Sequence, residues 1–218
     1  ASALMKSHYR PFFSTWLYYD KHFNQRRYQM PQIFPDAKAE NLVICVTGRG
    51  STKEFCALMS NLSPDLEMVS KGQCFPLKLY EPSSSKSTTK QTGLFDLESN
   101  QSSESNEKYT VKDGISDAGL AHFAAAYPTE TISKEDLFYY IYGLLHSDDY
   151  KQKYADNLTK ELPRIPCVKT AADFWAFSKA GRALAELHVN YESVDLYRVN
   201  FGKTNFSQLA PKDYRVEK

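Results

Sequence analysis

Two periods of apolar residues divide the chain. In its first third, apolar residues fall in short runs and alternations that suit strands. "NLVICVTG" (Asn41–Gly48) is a compact, partly β-branched run closed by a glycine, which predicts a buried strand. "QCFPLKLYE" (Gln73–Glu81) alternates, and as one strand it puts Phe75, Leu77 and Leu79 on a shared face. Pro76 cannot donate to a ladder, so this strand is expected at an edge or at a strand start. "TWLYYD" is a third candidate; "EFCALMS" and "LEMVS" are weaker ones, with turns at Gly48/Gly50 and "NLSPD".

From Ile115 the period becomes helical. Ser116 opens "SDAGLAHFAAAY", with Leu120, Phe123 and Ala124 on one face. Ser133 is a natural N-cap for "SKEDLFYYIYGLLHS", where Leu137, Tyr140, Ile141 and Leu144 form the stripe and Glu135 and Asp136 suit the positive end of the dipole. Ser147 caps a helix expected to run through "DDYKQKYADNLTKEL" to Pro163. "LPRIPCV" must be extended, because Leu162 and Ile165 each precede a proline. Thr170, with Asp173 three residues on, opens the last long helix, "AADFWAFSKAGRALAELH". The expectation is an α+β chain in three parts: a β-rich part over 1–81, a polar and mobile insertion over 82–114, and a helical part over 115–218. Ser, Thr, Lys, Glu, Gln and Asn dominate the insertion.

Composition narrows the class. The chain has 218 residues and 14% aromatic content, enough to bury a core without disulfide or metal staples. Its four cysteines (Cys45, Cys56, Cys74, Cys167) form no C-x-x-C pair, so buried, reduced thiols of a cytoplasmic protein are expected, with no metal site and no cofactor. No apolar run reaches the ~20 residues of a membrane span. "ASALMKSHYR" lacks the layout of a signal peptide, and the chain starts without Met, as a processed chain or excised fragment does. Net charge is +1, yet residues 1–80 hold ten Lys+Arg against six Asp+Glu, so the basic part is the β-rich one.

The stretch "RPFFSTWLYYDKHFNQRRYQMP" (Arg10–Pro31) carries seven aromatics: Phe12, Phe13, Trp16, Tyr18, Tyr19, Phe23 and Tyr28. An aromatic strand followed by a polar turn reads first as core followed by surface, so Trp16, Tyr18 and Tyr19 are expected to hold a platform together. The turn offers Asn24, Gln25, Arg26 and Arg27; Asn and Gln suit adenine, Arg suits guanine, and all suit phosphate. "TGRGSTK" (Thr47–Lys53) follows a strand but has neither Walker A spacing nor G-x-G-x-x-G, so it reads as a glycine turn. Arg49, Ser51 and Lys53 on it are still the donor types that hold phosphates or a guanine edge. His146 ends a helix, where a cationic imidazole favours the dipole, so a structural cap is expected rather than a catalytic base. His8, His22, His122 and His188 have no partner recognisable in the sequence. G-x-S-x-G, H-E-x-x-H and clustered carboxylates are absent, and no catalytic residue is assigned.

Several runs together carry a resemblance: "RPFFSTWLYYD", "RRYQMPQIFP", "NLVICVTGRGSTKEFCAL", "QCFPLKLYE", "DLFYYIYGLLHSDDYKQKYADNLTKELPRIP" and "FWAFSKAGRALAELHVNYE". They are similar to the C-terminal region of single-chain restriction-modification enzymes of type ISP, across most of residues 9–192. In that family one polypeptide carries a nuclease, an ATP-driven motor with helicase motifs, an adenine methyltransferase and, last, a target recognition domain. The resemblance implies that this chain is the last of these. It would then read a short asymmetric site in double-stranded DNA, with the methyltransferase and motor domains of the same polypeptide as partners, and be no enzyme by itself. It hands over no base-reading residues; the nucleic-acid-binding candidates are Asn24, Arg26, Arg27, Arg49, Ser51 and Lys53, in polar turns of the more basic part. Two rivals stand beside it: a docking module that packs on the methyltransferase or motor, and a small nuclease or hydrolase with an unrecognised site.

Overall fold

A computed structural model describes residues 4–24, 26–83, 109–195 and 210. The β-rich and helical parts form the expected α+β architecture. Strands β1 (Leu4–Arg10) and β2 (Phe13–Tyr18) make an antiparallel hairpin, turned by Pro11 and a left-handed Phe12 (φ 55°). After the short helix α1 (Met30–Ile33), strands β3 (Val43–Val46) and β4 (Ala57–Ser60) pair antiparallel. The short β5 (Ser63–Pro64) lies parallel to β1, giving the order β2-β1-β5. Strand β6 (Gln73–Pro76) completes a second sheet in the order β4-β3-β6, and β7 (Lys78–Pro82) pairs with β8 (Tyr109–Asp113). Then come α2 (Asp117–Ala126), α3 (Lys134–His146), α4 (Asp148–Lys153), α5 (Ala155–Leu158) and α6 (Ala171–Val189).

The unbroken apolar run of β3 has a structural cause. The sheet β4-β3-β6 is covered on both faces, so no position on β3 is spared burial. Ile44 and Val46 join Ala57 and Met59 in the core shared with the helices. Val43 and Cys45 join Leu58 in a second core with Met5, Ile33, Phe34, Met68 and Val69. The helical part therefore buries one face of a sheet built from the first third of the chain.

Helices α3 and α6 cross at two glycines. A Cβ on Gly181 would stand 2.0 Å from the Tyr139 carbonyl oxygen, and one on Gly143 would stand 2.2 Å from that of Phe177. Both obstacles are backbone, so only glycine permits this approach. Ser133 and Asp136 form a full capping box on α3, and Thr170 caps α6 through the Asp173 N–H. The extended segment 162–168 makes no ladder, and its carbonyls are met from the helices instead. The hydroxyls of Tyr150, Tyr140 and Tyr127 donate to Arg164, Pro166 and Val168 at 2.8, 2.6 and 2.7 Å. Alternate residues of an extended chain face the same side, so three tyrosines satisfy three carbonyls at period two. Tyr140 also stacks on Phe174, with ring centroids 4.6 Å apart.

Several expectations are corrected. Residues 73–81 are two strands in different sheets rather than one. Pro76 has no N–H, and Leu77 donates to Leu42 while accepting from Gly114. Leu77 thus packs on the helical core, Leu79 on the second core, and Phe75 is exposed at 42%. "LEMVS" is a turn, because the Asp65 side chain accepts from the Glu67 N–H and its carbonyl from Met68. The helix from Asp148 breaks at Tyr154 and ends at Leu158 rather than at Pro163. Its second half has no fully buried residue, only Leu158 packing partly against the core, and Thr159 and Asn157 turn their side chains to local partners, Asp156 O and Glu161. Residues 109–113, assigned to the polar insertion, form β8; residues 84–108 lie outside the described residues.

The histidines also differ from expectation. His146 is not a cationic cap: burial first, then Lys151 and His188, lower its pKa to about 4, and the dipole does not offset that desolvation. His8 Nδ1 sits 2.7 Å from Ser60 Oγ, His188 shares a hydrogen bond with the Tyr142 hydroxyl, and His22 pairs with Asp20 at 2.6 Å. These partners lie in other elements or emerge only in a folded turn. Cys45 is buried as expected, whereas Cys56 is exposed.

Candidate nucleic-acid interface

Strand β2 is the free edge of its sheet, and its aromatic side chains are not core. Trp16 is 63% exposed, and Phe12, Phe13 and Tyr18 are about half exposed. Farther on, Phe23 is 78% and Tyr28 74% exposed. Of the three aromatics expected to hold a platform, only Tyr19 turns inward, packing beside the second core. The reason lies in topology: among the described residues β2 pairs on one side only, and Trp16 and Tyr18 project from it with more than half of each side chain exposed. Instead Lys6, the register partner of Trp16, places its ammonium 5.8 Å from the indole centroid.

The chain leaves β2 through a tight turn. Phe23 and Asn24 N–H groups donate to the Asp20 carbonyl, and the His22 N–H donates to the Asp20 carboxylate. The Asn24 side-chain amide donates to the Tyr18 and Asp20 carbonyls at 2.7 and 2.9 Å. This fastened turn directs Arg26 and Arg27 along one wall of an open groove of about 870 Å³. The opposite wall comes from the loop after β5 and from Lys71–Cys74, and the hairpin face with Tyr9 and Leu17 lies between. The Arg27 guanidinium stands 5.2 Å from the Tyr19 ring centroid. Among the described residues the buried Tyr19 hydroxyl has no hydrogen-bond partner, and burial, opposed by Arg27, pushes its pKa up to about 12.

Two groove residues hold left-handed backbone that is uncommon for side chains of their size: Tyr28 (φ 47°) and Lys71 (φ 50°). Such conformations persist where surrounding contacts over-determine them, and they cluster at functional surfaces. At Lys71 the contacts are explicit. Gly48 donates to the Ser70 carbonyl, and a Cβ on Gly48 would lie 1.9 Å from the Lys71 carbonyl oxygen. The Lys71 ammonium donates to the Gly50 carbonyl at 2.6 Å. The turn of Arg49, Ser51 and Lys53 is thereby latched to the groove wall.

The six sequence candidates thus fall into two adjoining groups. Asn24, Arg26 and Arg27 line the groove, with Gln25 outside the described residues. Arg49, Ser51 and Lys53 lie on the latched turn, where Arg49 and Lys53 are exposed and Ser51 Oγ accepts from the Lys53 N–H. Sequence reasoning missed Lys71, Tyr28, Tyr9 and Gln73 as lining residues. For Lys71 a signal existed in the Lys-Gly pair of "SKGQC", a turn that puts a cation between two strands. Among the described residues, no group of three His, Cys, Asp or Glu could hold a metal ion. No helix among them is long and apolar enough to cross a membrane.

An α+β body that presents a basic, aromatic groove beside an edge hairpin has the make-up of a recognition domain. The chain belongs to the type ISP C-terminal specificity domain family, whose model matches residues 1–218. It is similar to three solved structures. In the DrdV–DNA complex, determined by cryo-electron microscopy, the identity is 33% and the TM-score 0.75, over 90% of this chain and 17% of that one. For a nuclease-deletion mutant of the type ISP restriction-modification enzyme LlaGI with a DNA substrate mimic, the values are 29% and 0.66, over 90% and 15%. For the ATP-dependent type ISP restriction-modification enzyme LlaBIII bound to DNA, they are 28% and 0.72, over 91% and 11%. This chain therefore spans less than a fifth of each relative's length. No curated protein matches it.

Proposed function

We propose that this chain reads a short asymmetric site in double-stranded DNA for a longer restriction-modification polypeptide that acts in the cytoplasm. The observation that carries this reading is the groove itself. It combines Arg26, Arg27 and Lys71 with exposed aromatics, next to a latched turn that adds Arg49 and Lys53. Three relatives with the same fold are DNA complexes, which supports it. Arg26 and Arg49 are the first choices for base edges, and Arg27, Ser51, Lys53 and Lys71 for phosphates. Asn24 acts by holding the turn, since both of its amide bonds run to backbone. Catalysis is assigned to the rest of the polypeptide. Residues 1–81 are assigned the recognition part, and the helical part from 115 the role of a supporting body that docks on the methyltransferase and motor domains; of its expected range to 218, residues 196–209 and 211–218 lie outside the described residues.

Selection from random DNA duplexes at roughly physiological salt tests this. Non-specific binding there is as weak as ~10⁻⁴–10⁻⁶ M. The expected result is one enriched asymmetric motif, lost with Arg26→Ala or Arg49→Ala. No enrichment, repeated with the methyltransferase domain attached, overturns it. A second reading has one observation in its favour: Trp16, Tyr18 and Phe23 are exposed, with Phe23 edge-on to Tyr18 at 5.5 Å. In that reading the hairpin docks on neighbouring domains, and salt-independent binding to them without DNA affinity distinguishes it.

A further inference from the structure

Cys45 and Cys74 face each other in register across β3 and β6, with their Sγ atoms 3.5 Å apart. The pairing type follows from Pro76. The Leu77 N–H donates to the Leu42 carbonyl at 2.8 Å, which makes Val43 and Pro76 a non-hydrogen-bonded pair. Pair types alternate along an antiparallel ladder, so Cys45 and Cys74, two residues on, are of the same type. In such pairs the side chains are closest, with Cα atoms about 4.5 Å apart, inside the range that a disulfide spans. Access to the two thiols is unequal. Cys45 is fully buried in the second core, and its hydrogen bond with Cys74, together with burial, disfavours its thiolate while both thiols are reduced, so Cys74 is the first to react. Cys74 is half-buried and lines the groove beside Gln73. Among the described residues, Cys56 and Cys167 have no thiol hydrogen-bonded to them.

We propose that Cys74 and Cys45 form a thiol-modification site for small disulfides of the glutathione type that enter the groove, Cys74 as attacking thiol and Cys45 as resolving thiol. Cys74 loses its proton and attacks one sulfur of the reagent. A mixed disulfide forms, and the reagent's other half leaves as a thiolate that takes up a proton. Cys45 then gives up its proton and attacks Cys74 Sγ, breaking the mixed disulfide and releasing the second half as a thiol. Two protein thiols are oxidised to one disulfide while one reagent disulfide is reduced to two thiols, so no other oxidant enters. The sulfurs must close from 3.5 Å to about 2.05 Å, a change that side-chain rotation supplies without a register shift.

Oxidised glutathione, added to the folded chain carrying Cys56→Ser and Cys167→Ser, tests this by intact mass and peptide mapping. The expected product has lost two hydrogens, carries no lasting adduct, and maps to a Cys45–Cys74 link. Cys45→Ala and Cys45→Ser in the same background are each expected to retain one glutathionyl group on Cys74, and Cys74→Ser to show neither product. A lasting adduct on Cys74 with Cys45 present overturns the proposal, as does a folded protein whose mass does not change.

Discussion

The two halves of this chain use aromatic residues in opposite ways. In the helical body Tyr140 and Tyr142 have no exposed surface, and Tyr127, Tyr140 and Tyr150 each donate a hydroxyl proton to a carbonyl of the extended segment. On the edge hairpin and the turn after it, Trp16, Phe23 and Tyr28 stand mostly in solvent. A buried tyrosine contributes area and one satisfied hydrogen bond, so its neighbours define it and it is already committed. An exposed tryptophan beside a lysine contributes little to folding and is free for a partner. Composition alone does not separate the two; the number of covering elements does.

That contrast can be tested most sharply in the body. Gly181→Ala forces a Cβ to within 2.0 Å of the Tyr139 carbonyl oxygen, and neither helix backbone can move aside without opening the core. A loss of about 3 kcal/mol or more is expected, the upper end for overpacking, read as a lowered denaturation midpoint. Tyr140→Phe deprives the Pro166 carbonyl of its donor, and an expected loss of about 1–3 kcal/mol follows from the unsatisfied group. Neither substitution is expected to change the selected DNA motif in protein that remains folded.

Substitutions on the other half invert the pattern. Arg26→Ala is expected to leave the denaturation midpoint unchanged and to weaken binding to the selected duplex by about 1–3 kcal/mol, provided the guanidinium meets a base edge. Arg27→Ala is expected to act evenly across sequences and to reduce the salt slope by about 1, as a lost phosphate contact does. Unaltered affinity in both variants would separate the groove from DNA. A smaller effect concerns pH. His146, His8 and His188 have pKa values below the ordinary 6.5, chiefly through burial. In this window the unfolded chain binds more protons than the folded one, so stability is fully present above pH 6.5 and falls as the pH drops toward 4. His146→Gln should flatten that decline in thermal midpoints measured across the window. The smallest expected signal is kinetic: bound duplex slows alkylation of Cys74, which lines the groove, and leaves exposed Cys56 unaffected.

Local chemistry wrote much of the body into the sequence. Ser116, Ser133, Ser147 and Thr170 cap the helices they were expected to cap, because a cap is a contact between residues three apart. The run at Asn41–Gly48 announced a buried strand, and Val43–Val46 is one. The prolines at 163 and 166 announced an extended segment, and the resemblance of these runs to type ISP enzymes pointed to the family. Tertiary structure alone decided which aromatics were covered, since exposure depends on sheet order and on what packs above β2 rather than on the residues of β2. It also decided that Lys71 latches the Arg49 turn to the groove wall, a hydrogen bond spanning 21 residues that rests on a left-handed backbone and a missing Cβ at Gly48. The same holds for the neutral state of His146: the sequence shows its place at a helix end, but only packing against β4 and α6 shows the desolvation that outweighs the dipole.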